Sequence, residues 1–112
     1  MPTLFTKRQK YGAKAVTIDG IRFASKKEAK RYAELKLLAK AGEIYGLEVQ
    51  PKVSVYAGNI KLFTYIGDFG YYFCKPGNIS RIIEDVKGVR TPVYKLKKKI
   101  VEAVYNIEIT EV

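Results

Sequence analysis

Ile79-Ser80-Arg81-Ile82-Ile83-Glu84-Asp85-Val86-Lys87 is the stretch whose reading decides the fold. It reads as an extended segment, and Gly88 ends it. Thr91-Pro92 then opens a helix, because proline in the first turn gives up an N–H that has no partner there anyway. That helix is predicted to run to about Tyr105. The closing residues Ile107-Glu108-Ile109-Thr110-Glu111-Val112 alternate apolar and polar side chains, as a half-buried strand does.

Working outward from there, Ala15-Val16-Thr17-Ile18 and Ile21-Arg22-Phe23 flank Asp19-Gly20. Asp-Gly between two β-rich runs predicts a hairpin, since a type I′ turn needs positive φ at both central residues. Ser25, with Glu28 three residues on, has the spacing of a capping box and predicts a helix to about Ala41, stopped by Gly42. Leu47–Gln50 and Val53–Tyr56 read as extended around Pro51, and Gly58-Asn59 is a turn. Ile60–Phe73 is a second extended stretch, broken by Pro76-Gly77-Asn78 before the third begins at Ile79. The expected order is hairpin-α-β-β-β-α-β. This predicts one α/β domain over residues 14–112, a mixed central β-sheet flanked by two helices. Residues 1–13 carry Lys7, Arg8 and Lys10 without a period and read as a basic N-terminal arm.

Composition narrows the chemistry. The chain has 112 residues, 47% of them hydrophobic and spread along its length, so a folded core is expected. No apolar run approaches a membrane span, and no apolar stretch precedes the basic residues from Lys7 on, so neither a transmembrane segment nor a signal peptide is expected. An intracellular, cytoplasmic protein is the expectation. There is one cysteine, Cys74, and no histidine, which excludes Cys/His zinc sites and Ser–His or Cys–His nucleophiles. Lys and Arg number 21 against 11 acids, a formal charge of +10 that suits a polyanionic partner such as nucleic acid.

In the Ile79–Lys87 strand, Asp85 and Lys87 share one face and Glu84 and Val86 the other. Upstream, Tyr65-Ile66-Gly67-Asp68-Phe69 sets a lone carboxylate in an apolar strand. If the two strands pair, Asp68 and Asp85 converge. Two such carboxylates repel unless a cation sits between them, and hard oxygen donors suit Mg²⁺ or Mn²⁺. Lys87 could then orient a water or offset charge on the phosphorane. The plainer alternatives are a cap at a glycine bulge for Asp68 and a sheet-edge ion pair for Asp85 and Lys87.

Glu28 lies on the helix stripe Glu28-Tyr32-Leu35-Ala39 expected to pack on the sheet, whereas Glu34 is rotated toward Lys27 and Lys30. Glu28 is therefore either an inward acid or a capping-box residue. Gln50, before Pro51, could orient a water or hold a phosphate if buried next to a metal site, or take an ordinary sheet-edge role. On the second helix Val93, Leu96, Ile100 and Ala103 form the expected buried stripe. Lys95, Lys98 and Lys99 fall opposite and could track a phosphate backbone or form a solvated face.

The ordered set Ser25-x-x-Glu28, Gln50-Pro51, Tyr65-x-x-Asp68-Phe69, Glu84-Asp85-Val86-Lys87-Gly88 and Tyr94-x-x-Lys97 resembles the PD-(D/E)XK nuclease superfamily. Lys10-Tyr11-Gly12 joins that set, and the likeness extends from about residue 10 to the end. Within the superfamily it looks most like small phage-encoded, Holliday junction resolvase-like or restriction-endonuclease-like proteins. The resemblance implies a restriction-endonuclease-like core that cuts phosphodiesters with Mg²⁺. It implies Asp68, Asp85 and the helix acid Glu28 as metal ligands, Lys87 as the water-orienting group, and Gln50 as a further site residue. Lys7, Arg8, Lys10, Lys95, Lys98 and Lys99 are the candidate nucleic-acid contacts. Two positions depart from the pattern: Gly67 stands where proline is usual, and Asp85 where glutamate is more frequent, with Glu84 just before it.

The leading expectation is a Mg²⁺- or Mn²⁺-dependent endonuclease acting on DNA, branched or recombining, in phage DNA metabolism, with RNA left open. A phage-encoded enzyme of this kind would work in the host cytoplasm. Paired cuts at a junction would call for a homodimer. The alternative keeps the fold without the chemistry, as a basic nucleic-acid-binding accessory protein.

Overall fold

A computed structural model describes residues 15–86 and 91–112. The elements run β1 (Val16–Ile18), β2 (Ile21–Phe23), α1 (Lys26–Lys40), β3 (Ile44–Val49), β4 (Lys52–Ala57), β5 (Ile60–Ile66), β6 (Phe69–Lys75), β7 (Asn78–Asp85), α2 (Pro92–Tyr105) and β8 (Glu108–Glu111). The chain divides into two compact units, one ending at Glu34 and one beginning at Leu35.

In the first unit β1 and β2 pair antiparallel around Asp19 (φ 53°) and Gly20 (φ 76°), the two positive φ values that Asp-Gly predicts. Tyr32 on α1 stacks on Phe23 at 4.9 Å between ring centroids and donates its hydroxyl to Asp19 Oδ2 at 2.9 Å. That bond ties the hairpin turn to the helix. Ala29, Tyr32 and Leu35 form the buried stripe of α1, one residue round from the expected one at its start.

In the second unit a four-stranded mixed sheet has the order β3-β6-β7-β8, antiparallel except for the parallel pair β7–β8. A parallel pair needs a crossover, and α2 supplies it. The sequence predicts three extended stretches between the helices, and the structure has five strands there. The reason is a bend. β3 and β4 pair with β6 and β5 as one long antiparallel hairpin whose register holds from Glu48↔Gly70 and Val49↔Phe69 to Lys52↔Ile66. At the corner Gln50 takes a left-handed φ of 55°, and Pro51 follows, lacking an N–H. The backbone still pairs across the corner, Gln50 N to Asp68 O at 2.9 Å and Gly67 N to Pro51 O at 3.0 Å. One half of the hairpin therefore stays in the sheet beside β7, and the other half becomes the separate β4–β5 ribbon.

The core of this unit joins the ribbon (Val55, Tyr65), the sheet (Ile83, Ile109) and α2 (Val101). Here the sequence reading is corrected. Val93 and Leu96, predicted to be buried, are 61% and 59% exposed, and Ala103 is exposed too. The inward face instead carries Tyr94, Lys97, Lys98 and Val101, about one residue or 100° round the helix. The aliphatic stems of lysines cover apolar surface while their heads reach water, so a lysine-rich face can be the packed one. Thr91 caps α2 by accepting from Tyr94 N at 3.1 Å, Pro92 opens it, and Asn106 (φ 54°) ends it. Among the described residues no helix is long and apolar enough to cross a membrane.

Candidate active site

Asp68 sits at the corner of the bent hairpin, between β5 and β6. Its backbone N leaves the hairpin and donates to Glu84 O of β7 at 2.9 Å. Its carboxylate reaches past the end of that strand, where Oδ2 accepts from Val86 N at 2.6 Å. The register Phe69↔Glu84 brings Asp68 to the Glu84-Asp85-Val86 end of β7. The two segments singled out in the sequence thus meet along their backbones.

Gly67 explains a departure from the superfamily pattern. A Cβ built there would stand 2.3 Å from Ile83 Cγ2, closer than two such atoms can come. Proline is excluded twice, because it carries that Cβ and would also lose the Gly67 N–H bond to Pro51 O.

Glu84 and Asp85 point to opposite faces of β7, as alternation requires, and each is 1% exposed. Glu84 Oε2 accepts from Tyr71 OH at 2.5 Å on one face. On the other, Asp85 Oδ2 accepts from Tyr65 OH at 2.6 Å. Ile83, two residues before Asp85 on the same face, is in the core under α2. Asp85 also lines a cleft of about 260 Å³ between β5 and the start of α2, together with Tyr65, Thr91, Tyr94 and Lys97. Ile66 and Val93 give that cleft an apolar rim.

The tyrosines here are held neutral. Burial and then the bond to Asp85 push the Tyr65 hydroxyl far above its ordinary ionisation range. Burial and then the negative charge of Asp85 push Tyr94 up as well. Tyr65 therefore acts as a hydroxyl donor to Asp85 at any working pH. The Tyr94 hydroxyl is buried and makes no hydrogen bond with a described residue. Lys97 Nζ lies 5.3 Å from the centroid of the Phe63 ring on β5.

Among the remaining sequence candidates, Gln50 is exposed, not buried; what it brings to Asp68 is its backbone N–H. Glu28 belongs to the first unit, partly buried, with its N donating to Ser25 Oγ at 3.2 Å, one half of the expected capping box. Lys95 and Lys99 are exposed on α2, and Lys98 pairs with Glu111 at 3.8 Å. Lys87, Lys7, Arg8 and Lys10 lie outside the described residues. Sequence reasoning missed Tyr65, Tyr94 and Lys97 as a group around Asp85. The signal was there in Tyr94-x-x-Lys97, three residues or nearly one turn apart, once α2 is turned to its true face.

Among the described residues no cluster of three or more Asp, Glu or Cys side chains is gathered as for a metal ion. The two aspartates at the β6–β7 end are nonetheless hard oxygen donors of the type that Mg²⁺ and Mn²⁺ prefer, so the donor chemistry fits.

No curated protein and no solved structure matches this sequence. A family described as a protein of unknown function, DUF1064, matches residues 8–111. With nearly its whole length matched, the chain belongs to the DUF1064 family.

Proposed function

We propose that this protein is a metal-dependent endonuclease of the PD-(D/E)XK type, cutting phosphodiester bonds in DNA. The observation that carries the reading is that Asp68 is bonded to the end of β7, its N to Glu84 O and its carboxylate to Val86 N, on either side of the buried Asp85, which lines a cleft with a lysine. A structural acid can be buried anywhere; two brought to one strand end beside an open cleft suit a site.

On this reading Asp68 and Asp85 hold Mg²⁺ or Mn²⁺. When bound, the ion would polarise the phosphodiester and lower the pKa of an attacking water. Tyr65 fixes the Asp85 carboxylate by its hydroxyl bond, and the Val86 N–H does the same for Asp68. Lys87, the residue after Val86, carries the water-orienting role that the superfamily pattern gives it. The substrate class is DNA, branched or recombining, in phage DNA metabolism, and a homodimer accompanies a junction-resolving role. Exposed Lys95 and Lys99 supply backbone contacts.

The test is to incubate labelled four-way junctions, flaps and linear duplex with the protein in Mg²⁺, Mn²⁺ or EDTA, alongside Asp85→Asn and Lys87→Ala. Metal-dependent cutting lost in both variants is the expected result. Binding without cutting under either metal would instead establish a non-catalytic nucleic-acid-binding accessory protein.

A further inference from the structure

We infer that Lys97 and Tyr94 form a phosphate-binding wall in the cleft they share with Asp85. This rests on reading the cleft as a phosphodiester site, and it adds a ligand role for residues that the D…D-x-K pattern does not contain.

Three observations carry it. Lys97 lies on the packed face of α2, partly buried, and lines the cleft, with its Nζ 5.3 Å from the centroid of the Phe63 ring. Holding a long charged side chain in one place costs rotamer entropy, and an exposed helix position would have avoided that cost. Tyr94 lies three residues earlier on the same face, its hydroxyl buried without a hydrogen bond to any described residue. A buried hydroxyl left so is costly, and an incoming acceptor oxygen relieves it. A tyrosine hydroxyl can donate to an anion's oxygen. Thirdly, α2 begins at the cleft with Thr91, so the positive end of a 14-residue helix adds to the field of the lysine. A cation, a neutral donor and a helix start lining one cleft of about 260 Å³ are what a phosphate oxygen needs. Asp85, in the same cleft, repels a phosphate approaching alone, so the wall serves an anion that arrives with, or after, a divalent cation.

The experiment is an amide NMR titration of the full chain with two probes, a short DNA duplex and inorganic phosphate, in EDTA and again with Ca²⁺. The variants are Lys97→Met, which keeps an unbranched stem and removes the charge, Lys97→Arg, which restores the charge, and Tyr94→Phe. The expected result is a duplex-induced response at Thr91, Tyr94 and Lys97, stronger with Ca²⁺. It should weaken about tenfold or more in Kd for Lys97→Met and recover largely in Lys97→Arg. The same response to phosphate but not to duplex would also support the wall, as a subsite for a free or terminal phosphate. Responses confined to other residues, with the cleft silent to both probes, would overturn it. So would equal responses in the wild type and Lys97→Met. Adding Mn²⁺ to the duplex samples separates the two ideas: a responding cleft with intact DNA sinks the nuclease reading and leaves the wall standing.

Discussion

Glu84 and Asp85 are neighbours in the chain, equally buried, and each accepts a bond from a tyrosine hydroxyl, yet they face opposite sides of β7. Glu84 meets Tyr71 of the adjacent strand β6, within the sheet's own pairing. Asp85 meets Tyr65, which reaches it from the folded-over ribbon, and it borders an open cleft. Burial and the tyrosine donor are thus shared by the two acids, and the difference is that Asp85 lines a cleft. A buried carboxylate with a good donor is a structural element when packing closes over it. Beside a cleft it borders space that a ligand could enter.

The comparison breaks most sharply on activity. Asp85→Asn is expected to lower metal-dependent cutting by about a thousandfold or more, whereas Glu84→Gln should leave it within about tenfold. Equal losses in the two variants, measured by single-turnover cleavage, would erase the distinction between the faces.

Stability should sort the other way. Tyr71→Phe removes the donor to Glu84 and is expected to cost about 1–3 kcal/mol in urea unfolding with cutting little changed. Tyr65→Phe should cost a similar amount and also impair cutting, since Asp85 loses its orientation. Gly67→Ala, at the corner that brings Asp68 to β7, should cost about 1–3 kcal/mol through its contact with Ile83. Ile83→Leu, which has no Cγ2 branch, should recover part of that loss, and a double-mutant cycle measures the coupling.

A smaller effect concerns pH. Tyr65 and Tyr94 resist ionising in the folded protein, while in the unfolded chain they ionise near pH 10. The folded state binds these protons more tightly, so their stabilisation is intact below about pH 10 and declines as the pH rises beyond it. Unfolding free energies from about pH 9 to 11 should fall less steeply in Tyr65→Phe and Tyr94→Phe. The smallest change is expected for Lys99→Ala, which should lower the salt slope of DNA binding by about one.

What was legible in the sequence was chiefly local. Asp19-Gly20 specifies its turn through backbone sterics alone, and Thr91-Pro92 specifies a helix start through the cap. Asp68 and Asp85 were legible as odd charges in apolar strands. The corner at Gln50-Pro51 and Gly67-Asp68 was not, because both stretches keep their strand character on either side of it and only pairing to β7 draws the chain away. The face of α2 was misread in part, because Val93 and Leu96 outweigh Tyr94 and Lys97 in hydropathy, while packing depends on which shape fits over Tyr65 and Ile83; Ile100 does pack against the core as expected. The same error set Lys98, which is on the packed face, with Lys95 and Lys99 on the opposite side.

The tight fit between Gly67 and Ile83 also constrains history. A lineage carrying isoleucine at 83 has no direct route to proline at 67, since the intermediate must absorb a steric clash and the loss of a backbone bond together. A change at residue 83 would ease the clash but leave the backbone bond to be lost. The two positions are thus sterically coupled, so what one tolerates depends on what the other holds.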